Sequence, residues 1–350
     1  MGLTDFEERK HRILELVIEA YVVTASPVGS ESVARKLRSS LSPATIRNIM
    51  VELEQAGLLE QPHTSAGRIP TERGYRFYVD AVMDARHISK DELRQIEALL
   101  QPVELDVNHL LERVSNVLSE LTQHIAFAVT NTVKRSTVKQ IELVPLSVRK
   151  ILCVLVANEE MASSHIVEIE EPISRDEATA LVRFLNTELT GLSFGELLNS
   201  LERRMLAESD SFYHLVKRSL FILQHALSTE PDERLFLEGE SYMVTQPEFS
   251  RDPRKVHDLL KVLETEELLL QRVREDLKRD GVCVRIGREV HVPGLEECSC
   301  ITAPFSVGDE LLGGIGVLGP KRMDYPRVQA LVEGTARCVT ELLARWETLG

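Results

Sequence analysis

The chain has 350 residues, of which 27% are charged and 43% hydrophobic, and its formal net charge is −14. These proportions are typical of a soluble globular protein, and the length favours two or three domains over a single core. The net charge excludes a protein that binds nucleic acid over its whole surface, so any affinity for DNA must be local.

Three helices are predicted at the N-terminal end. Residues 5–23 form an amphipathic pattern with one apolar stripe, which consists of Ile13, Leu14, Val17, Ile18 and Tyr21. Ser30 is a suitable cap for a short second helix. For the third helix, Ser42 is a good N-cap, Pro43 falls at the first helical position, and Gly57 stands where a residue just past a helix end is expected.

The third helix has two chemically different faces. Its apolar residues recur at spacings of three and four and predict a packed face, namely Ile46, Ile49, Met50 and Leu53. On the opposite side lie Ala44, Arg47, Asn48 and Val51. A short strand is predicted over 58–61, followed by a turn-rich segment at 62–68 that suits a wing, and then by a helix capped by Thr71. The pattern predicts a winged helix-turn-helix domain over residues 1–86.

Positive charge is concentrated in this domain. Residues 33–50 contain Arg35, Lys36, Arg38 and Arg47 and no acidic residue, a local charge of +4. Residues 61–79 contain Arg68, Arg73 and Arg76 against Glu72, a local charge of +2. These cations are predicted where a recognition helix and a wing touch phosphate.

Roles follow from side-chain chemistry. Asn48 is the predicted base reader, because its amide pairs with adenine, and Arg47 is suited to guanine or to phosphate. The flanking candidates on the same helix are Ser42, Ala44, Thr45 and Val51. For Thr45 the alternative is a helix-end residue whose hydroxyl is satisfied by the backbone.

The wing supplies a second set of candidates for phosphate or minor-groove contact, which are His63, Thr64, Ser65 and Arg68. Gly67 is expected to supply a backbone conformation that other residues avoid. The alternative for Arg68 is an ion pair with Glu60 or Glu72. Further phosphate contacts are predicted for Lys36, Arg38, Arg73 and Arg76, with plain solvated charge as their alternative.

The remainder of the chain alternates between strands and helices. Residues 87–107 are charged, contain Pro102 and predict a linker. A helix over 110–121 precedes strands over 125–129, 139–146, 150–156 and 165–170. Mostly helical residues follow, with one strand over 235–244 and a helix over 253–278. Strands resume over 282–286, 300–306 and 311–318, before a final amphipathic helix over 326–346. Strands that stop and resume indicate an insertion into the second domain.

Several of these segments together resemble one family. The residues that carry the resemblance are the runs 42–50 (SPATIRNIM), 63–71 (HTSAGRIPT), 74–76 (GYR) and 316–320 (GVLGP). They are similar to the heat-inducible transcription repressor HrcA, and the similarity extends over nearly the whole chain.

The resemblance implies an α+β multidomain protein, with a GAF-like α/β domain in two segments, 108–174 and 280–350. A mainly helical dimerising insert at 175–279 interrupts it. The resemblance also implies a homodimer on the inverted-repeat operator of chaperone operons, with the chaperonin GroEL as a second partner. The alternative is a ligand-sensing regulator whose GAF-like domain binds a small effector.

Other motifs in the chain do not predict chemistry. Residues 314–319 match GxGxxG, but they lie inside a predicted strand, and close packing explains them better than a dinucleotide. Cys298, Cys300 and His291 lack the second cysteine pair that structural zinc requires. We therefore expect no metal, no cofactor and no enzymatic activity.

The cellular compartment is predicted from the cysteines and from hydropathy. The five scattered cysteines form no disulfide framework, and the sequence shows no apolar signal core and no apolar run of bilayer length. We therefore expect a cytoplasmic protein without membrane contact.

Overall fold

The computed structural model describes residues 3–37, 41–64, 66–83, 88–100, 107–130, 138–158, 161–169, 171–188, 192, 194–207, 211–228, 234–279, 281–308 and 310–347. The chain forms two compact units, one from residues 1–129 with 235–350 and one from residues 130–234. Within the described ranges, no helix is long and apolar enough to cross a membrane.

The N-terminal elements follow the order predicted for a winged helix-turn-helix. They are α1 (Leu3–Thr24), α2 (Ser30–Leu37), α3 (Pro43–Gln55), β1 (Leu59–Glu60), β2 (Ile69–Pro70) and α4 (Glu72–Phe77), which continues as a π-helical turn (Tyr78–Val82). Strands β1 and β2 pair antiparallel. The predicted stripe of α1 lies in the core, with Ile13, Leu14, Val17 and Ile18 at most 1% exposed. The winged-helix prediction is confirmed.

The next elements are α5 (Lys90–Leu100), α6 (Val107–Thr122) and β3 (Ile125–Thr130). Helix α5 occupies part of the predicted linker, but Ile96 and Leu100 are buried in the same apolar core as α1 and α6. The charged surface residues of this segment suggested a linker, whereas these two apolar positions, four residues apart, belong to one helix face.

The second compact unit contains β4 (Gln140–Ser147), β5 (Lys150–Asn158), β6 (Met161–Glu168), α7 (Arg175–Glu188), α8 (Phe194–Ala207) and α9 (Ser211–Ser228). Its three strands form an antiparallel sheet of their own, in the order β4-β5-β6. Ile141, Cys153 and Val167 on one sheet face pack in a core with Leu181 and Val216 from the helices. The unit therefore begins before the predicted insert start at residue 175, because these strands bond to one another and not to the other sheet.

The chain then returns to the first unit. The elements are β7 (Arg234–Glu238), α10 (Glu240–Val244), α11 (Pro247–Ser250), α12 (Pro253–Thr265), α13 (Glu267–Asp276), β8 (Cys283–Ile286), a 3-10 turn (Gly287–Val290), β9 (Cys298–Val307), β10 (Glu310–Pro320) and α14 (Tyr325–Glu347). Two predictions differ in detail. The strand predicted over 235–244 ends at Glu238, before Gly239 with its φ of +93°, and the helix predicted over 253–278 breaks at Glu266, whose φ is +51°.

A five-stranded sheet in the order β7-β3-β10-β9-β8 forms the centre of the GAF-like domain. Both of its faces are covered, since α14 and α6 pack with one alternating set of strand residues and α12 and α13 with the other. All six residues of β3 are buried as a result. Segment 235–279, assigned to the insert from sequence, therefore packs with this domain.

In β10, a Cβ at Gly316 would lie 2.4 Å from the Phe127 ring, so close packing explains this glycine of the GxGxxG string.

Candidate nucleic-acid interface

Helix α3 begins and ends where its sequence signals predicted. The Ser42 hydroxyl accepts a hydrogen bond from the Thr45 backbone N–H at 3.1 Å, which satisfies one of the unpaired donors of the first turn. Pro43 occupies the first helical position. Gly57 follows the helix with φ +72°, a left-handed conformation that favours glycine.

The two faces of α3 have the predicted environments. The packed face is almost completely buried, with Ile46 at 0% and Ile49, Met50 and Leu53 at 3% exposure. The opposite face is open: Val51 is half-buried, and the exposed residues are Ser42, Ala44, Thr45, Arg47 and Asn48. The Thr45 hydroxyl lies 3.0 Å from the Ser42 hydroxyl. Its hydrogen-bond partner is therefore a side chain, whereas the alternative for Thr45 was a bond to the backbone. The polar side chains of α3 are thus presented together to solvent.

Gln61 organises the wing, a role that was not predicted for it. Its side-chain amide donates to the carbonyls of Thr64 at 3.1 Å and of Ala66 at 2.9 Å. The Ala66 N–H donates to the His63 carbonyl at 2.8 Å, which closes the turn. His63 and Thr64 are exposed at its tip, and Ser65 lies outside the described residues. The sequence feature that could have indicated this role is the position of Gln61 directly after β1, from which an amide side chain can reach nearby backbone carbonyls.

The base of the wing is attached to the turn between α1 and α2. Val28 and Arg68 exchange two backbone hydrogen bonds, both of 2.9 Å. Gly67 packs against this bridge, and a Cβ on it would lie 2.4 Å from the carbonyl carbon and oxygen of Val28. Its φ is not positive, so the expectation of an unusual backbone conformation was wrong. Glycine is needed here because of close backbone approach.

Arg68 is held by an ion pair with α3. Its guanidinium donates to one carboxylate oxygen of Glu54, from Nε at 2.9 Å and from Nη2 at 2.8 Å. The predicted alternative was an ion pair with Glu60 or Glu72, and the carboxylate is instead that of Glu54. Since Arg68 is also bridged to Val28, it connects the recognition helix, the wing and the α1–α2 turn.

The remaining predicted cations fall into different environments. Lys36 and Arg73 are exposed, whereas Arg38 lies outside the described residues. Arg76 is engaged within the protein: its guanidinium donates to the Glu289 carboxylate at 2.6 Å and 3.1 Å, and to the Val284 carbonyl at 2.7 Å. This arrangement does not support the phosphate contact predicted for Arg76.

A groove joins the recognition helix to the wing. It has a volume of about 170 Å³ and is lined by Arg47 and Met50 of α3 together with Val28, Ala66 and Gly67. Arg47 therefore borders the same concave surface as the wing. The structure thus places an exposed arginine of α3 beside the base of the wing, with the exposed Asn48 next to it on the same helix.

Metal or thiol chemistry has no support among the residues that the structure describes. No group of three or more potential ligands occurs there that could hold a metal ion. Cys298 and Cys300 are 0% exposed, and burial raises the pKa of both thiols well above the ordinary value, so they remain protonated. They are packing residues of the GAF-like core.

Comparison with known families gives two matches that together cover most of the chain. Residues 5–81 match the model described as a winged helix-turn-helix transcription repressor, HrcA DNA-binding, and residues 108–328 match that of the HrcA protein C-terminal domain.

Full-length relatives carry the same name. The heat-inducible transcription repressor HrcA of Pelotomaculum thermopropionicum is 35% identical, with 97% of each chain covered. That of Geobacter sulfurreducens is also 35% identical over 97% of this chain and 99% of its own. A crystal structure of a hypothetical protein at 2.2 Å has a TM-score of 0.60 and 23% identity over 96% of this chain and 98% of its own, a likeness of fold. Repression of transcription, the role these relatives are named for, is not enzymatic.

Proposed function

This chain belongs to the HrcA family of heat-inducible transcription repressors, and from that premise we propose that it represses chaperone operons by binding an inverted-repeat operator as a homodimer. Each subunit places α3 in the major groove and its wing on the adjacent backbone. A two-fold symmetric protein dimer matches the two-fold symmetry of an inverted repeat.

One observation carries the proposal: α3 exposes Arg47 and Asn48 on one face, and Arg47 borders a groove shared with the wing. Because α3 is capped and well packed, its backbone is already ordered, so binding of the amide and guanidinium groups to base edges costs only the freedom of their side chains. The positive charge of residues 33–50 lies on and next to this helix, while the chain as a whole carries −14. Phosphate attraction therefore directs DNA to this domain and not to the acidic remainder.

The family supplies the regulatory part of the proposal. We infer that the chaperonin GroEL helps the repressor to reach its active form in the cytoplasm. Unfolded proteins that accumulate on heating then compete with the repressor for chaperonin. The amount of active repressor falls, and transcription of the chaperone operons rises. The insert at residues 130–234 is the proposed dimerising region, in keeping with the family.

The test is a binding titration by fluorescence anisotropy. A labelled duplex carrying the inverted repeat is compared with a scrambled duplex of the same composition, over a series of salt concentrations. We expect the operator to bind about 10³-fold or more tightly than the scrambled duplex, a usual specificity ratio. Weak and equal binding to both duplexes, with and without added chaperonin, contradicts the proposal and would favour a ligand-sensing regulator.

A further inference from the structure

We propose that Arg76, Lys321 and Arg322 form a clamp that fixes the winged helix on the GAF-like domain and thereby narrows the range of half-site spacings that the dimer accepts. The inference rests on the proposed operator function and adds to it a set of positioning residues. None of the three needs to touch DNA for this role. Each is a cation that joins one domain to the other through bonds described below.

Arg76 is the arm of the clamp that extends from the winged helix. It lies on α4 and donates to both carboxylate oxygens of Glu289 and to the carbonyl of Val284. Glu289 is itself oriented, because its Oε2 accepts the Ile286 N–H at 3.1 Å. Two parallel bonds between a guanidinium and a carboxylate restrict orientation as well as distance. Arg76 therefore fixes the direction of α4 relative to β8.

Lys321 is the second arm and extends from the GAF-like domain. Its ammonium group lies 3.1 Å from Glu72 at the start of α4 and 3.1 Å from Glu297. The Glu72 carboxylate also lies directly over Gly287, where a Cβ would approach Glu72 Oε1 to 2.4 Å. Glycine at this position, with φ +57°, permits the close approach of the two domains.

Arg322 is the third arm and reaches the end of α1. Its guanidinium donates to the Val22 carbonyl and is held by the Glu248 carboxylate at 2.6 Å and the Gln246 side chain at 2.9 Å. Only 11% of its side chain is exposed. Glu248 and Gln246 thus hold the guanidinium in the orientation from which it reaches the Val22 carbonyl, and that bond to α1 is the one that crosses between the domains.

Apolar packing lies between the arms. The Tyr75 ring of α4 is 5.7 Å from the ring of Tyr325, which is fully buried and bonded through its hydroxyl to Ser299. One continuous apolar core includes residues of both domains, from Ile13 to Leu343. The clamp thus surrounds a packed contact.

Rigidity at this joint has a consequence for DNA recognition. If the subunits join outside the winged helix, the distance between two recognition helices is determined only when each winged helix is fixed to the rest of its chain. A loosely tethered pair would accept several spacings, because effective concentration falls slowly with distance for a flexible link. The clamp therefore removes movement of the winged helix on the GAF-like domain as a source of variation in spacing.

The test uses the full chain and three duplexes: the inverted repeat, the same repeat with 5 inserted base pairs, about half a helical turn, and a single half-site. The variant Glu248→Gln/Glu289→Gln removes the negative charges that hold Arg322 and Arg76 and leaves each side chain with one acceptor oxygen instead of two. The control Asp258→Asn/Glu264→Gln makes the same change in net charge at exposed positions of α12. Thermal unfolding is recorded for every protein.

We expect wild type and control to bind the native spacing about 100-fold more tightly than the expanded one. The clamp variant should bind the half-site with an affinity within about twofold of wild type. Its preference for the native spacing over the expanded one should be less than about tenfold. Retention of wild-type discrimination by the variant overturns the inference, and so does tighter binding of the native operator, since the clamp would then oppose DNA binding. If the variant loses half-site binding, Lys321→Gln replaces it in the same comparison, with the same criteria. Absence of operator preference in wild type itself counts against the proposed function instead.

Discussion

The ion pair between Glu54 and Arg68 allows two roles of Arg68 to be distinguished. Arg68 either holds the wing in place through Glu54, or it contacts DNA directly. The Arg68 side chain is 14% exposed and that of Glu54 is 33% exposed, so the pair lies between surface and buried cases. Surface pairs contribute about 0.2–1 kcal/mol and charge-assisted bonds about 1.5–3 kcal/mol. We expect a coupling of about 1–2 kcal/mol between the two residues, in operator binding as well as in stability.

The assay is a double-mutant cycle of operator affinity over a salt series, with Arg68→Gln, Glu54→Gln and the double variant. If Arg68 braces the wing, both single variants bind the operator more weakly than wild type. The double variant then binds no more weakly than either single variant, and the salt slope stays unchanged. Glu60→Gln, an exposed carboxylate on β1, corrects for the loss of negative charge near DNA. Phosphate contact by Arg68 predicts the opposite pattern: Arg68→Gln lowers the slope by about 0.9, and Glu54→Gln tightens binding because it frees the arginine. That pattern would refute the brace.

Three further predictions concern local structure. Thr71→Ala removes the side-chain cap of α4 and should lower stability by about 1 kcal/mol in thermal unfolding, whereas Thr71→Ser should not; equal midpoints would contradict the cap. Gly67→Ala should cost about 1–3 kcal/mol of stability and weaken operator binding, because its Cβ would meet Val28, while Gly29→Ala, with nothing within 4 Å, should leave both unchanged. Burial raises the pKa of Cys153 to about 12, so its thiol stays protonated and should react with a disulfide reagent at pH 8 far more slowly in native than in unfolded protein; equal rates would contradict its burial.

Local signals predicted the parts of the fold that depend on near neighbours. Ser42, Pro43 and Gly57 located α3, because capping is decided within a few residues of the helix end. The packed and exposed faces of α3 followed from spacing alone. The insert boundary could not be located in this way, since alternation predicts a strand without indicating the sheet to which it bonds. Strands β4, β5 and β6 satisfy one another, and this pairing became evident only in the structure.

The partners of charged residues were the least predictable feature. Arg68 had acidic neighbours at residues 60 and 72, yet its ion pair is with Glu54 on α3. For Arg76 the sequence offered phosphate or solvent, and its carboxylate partner, Glu289, lies more than 200 residues along the chain. A charged side chain in sequence indicates the need for a partner or water but not its identity, because the partner depends on tertiary packing.

The central claim, that α3 reads the operator through its exposed face, is tested most directly by Asn48→Ala. Binding of wild type and variant to the operator and to a scrambled duplex is measured over the same salt series. We expect the substitution to weaken operator binding by about 1–3 kcal/mol and to leave binding to the scrambled duplex and the salt slope unchanged. Unchanged operator affinity, or an equal loss on both duplexes, would contradict base reading by Asn48.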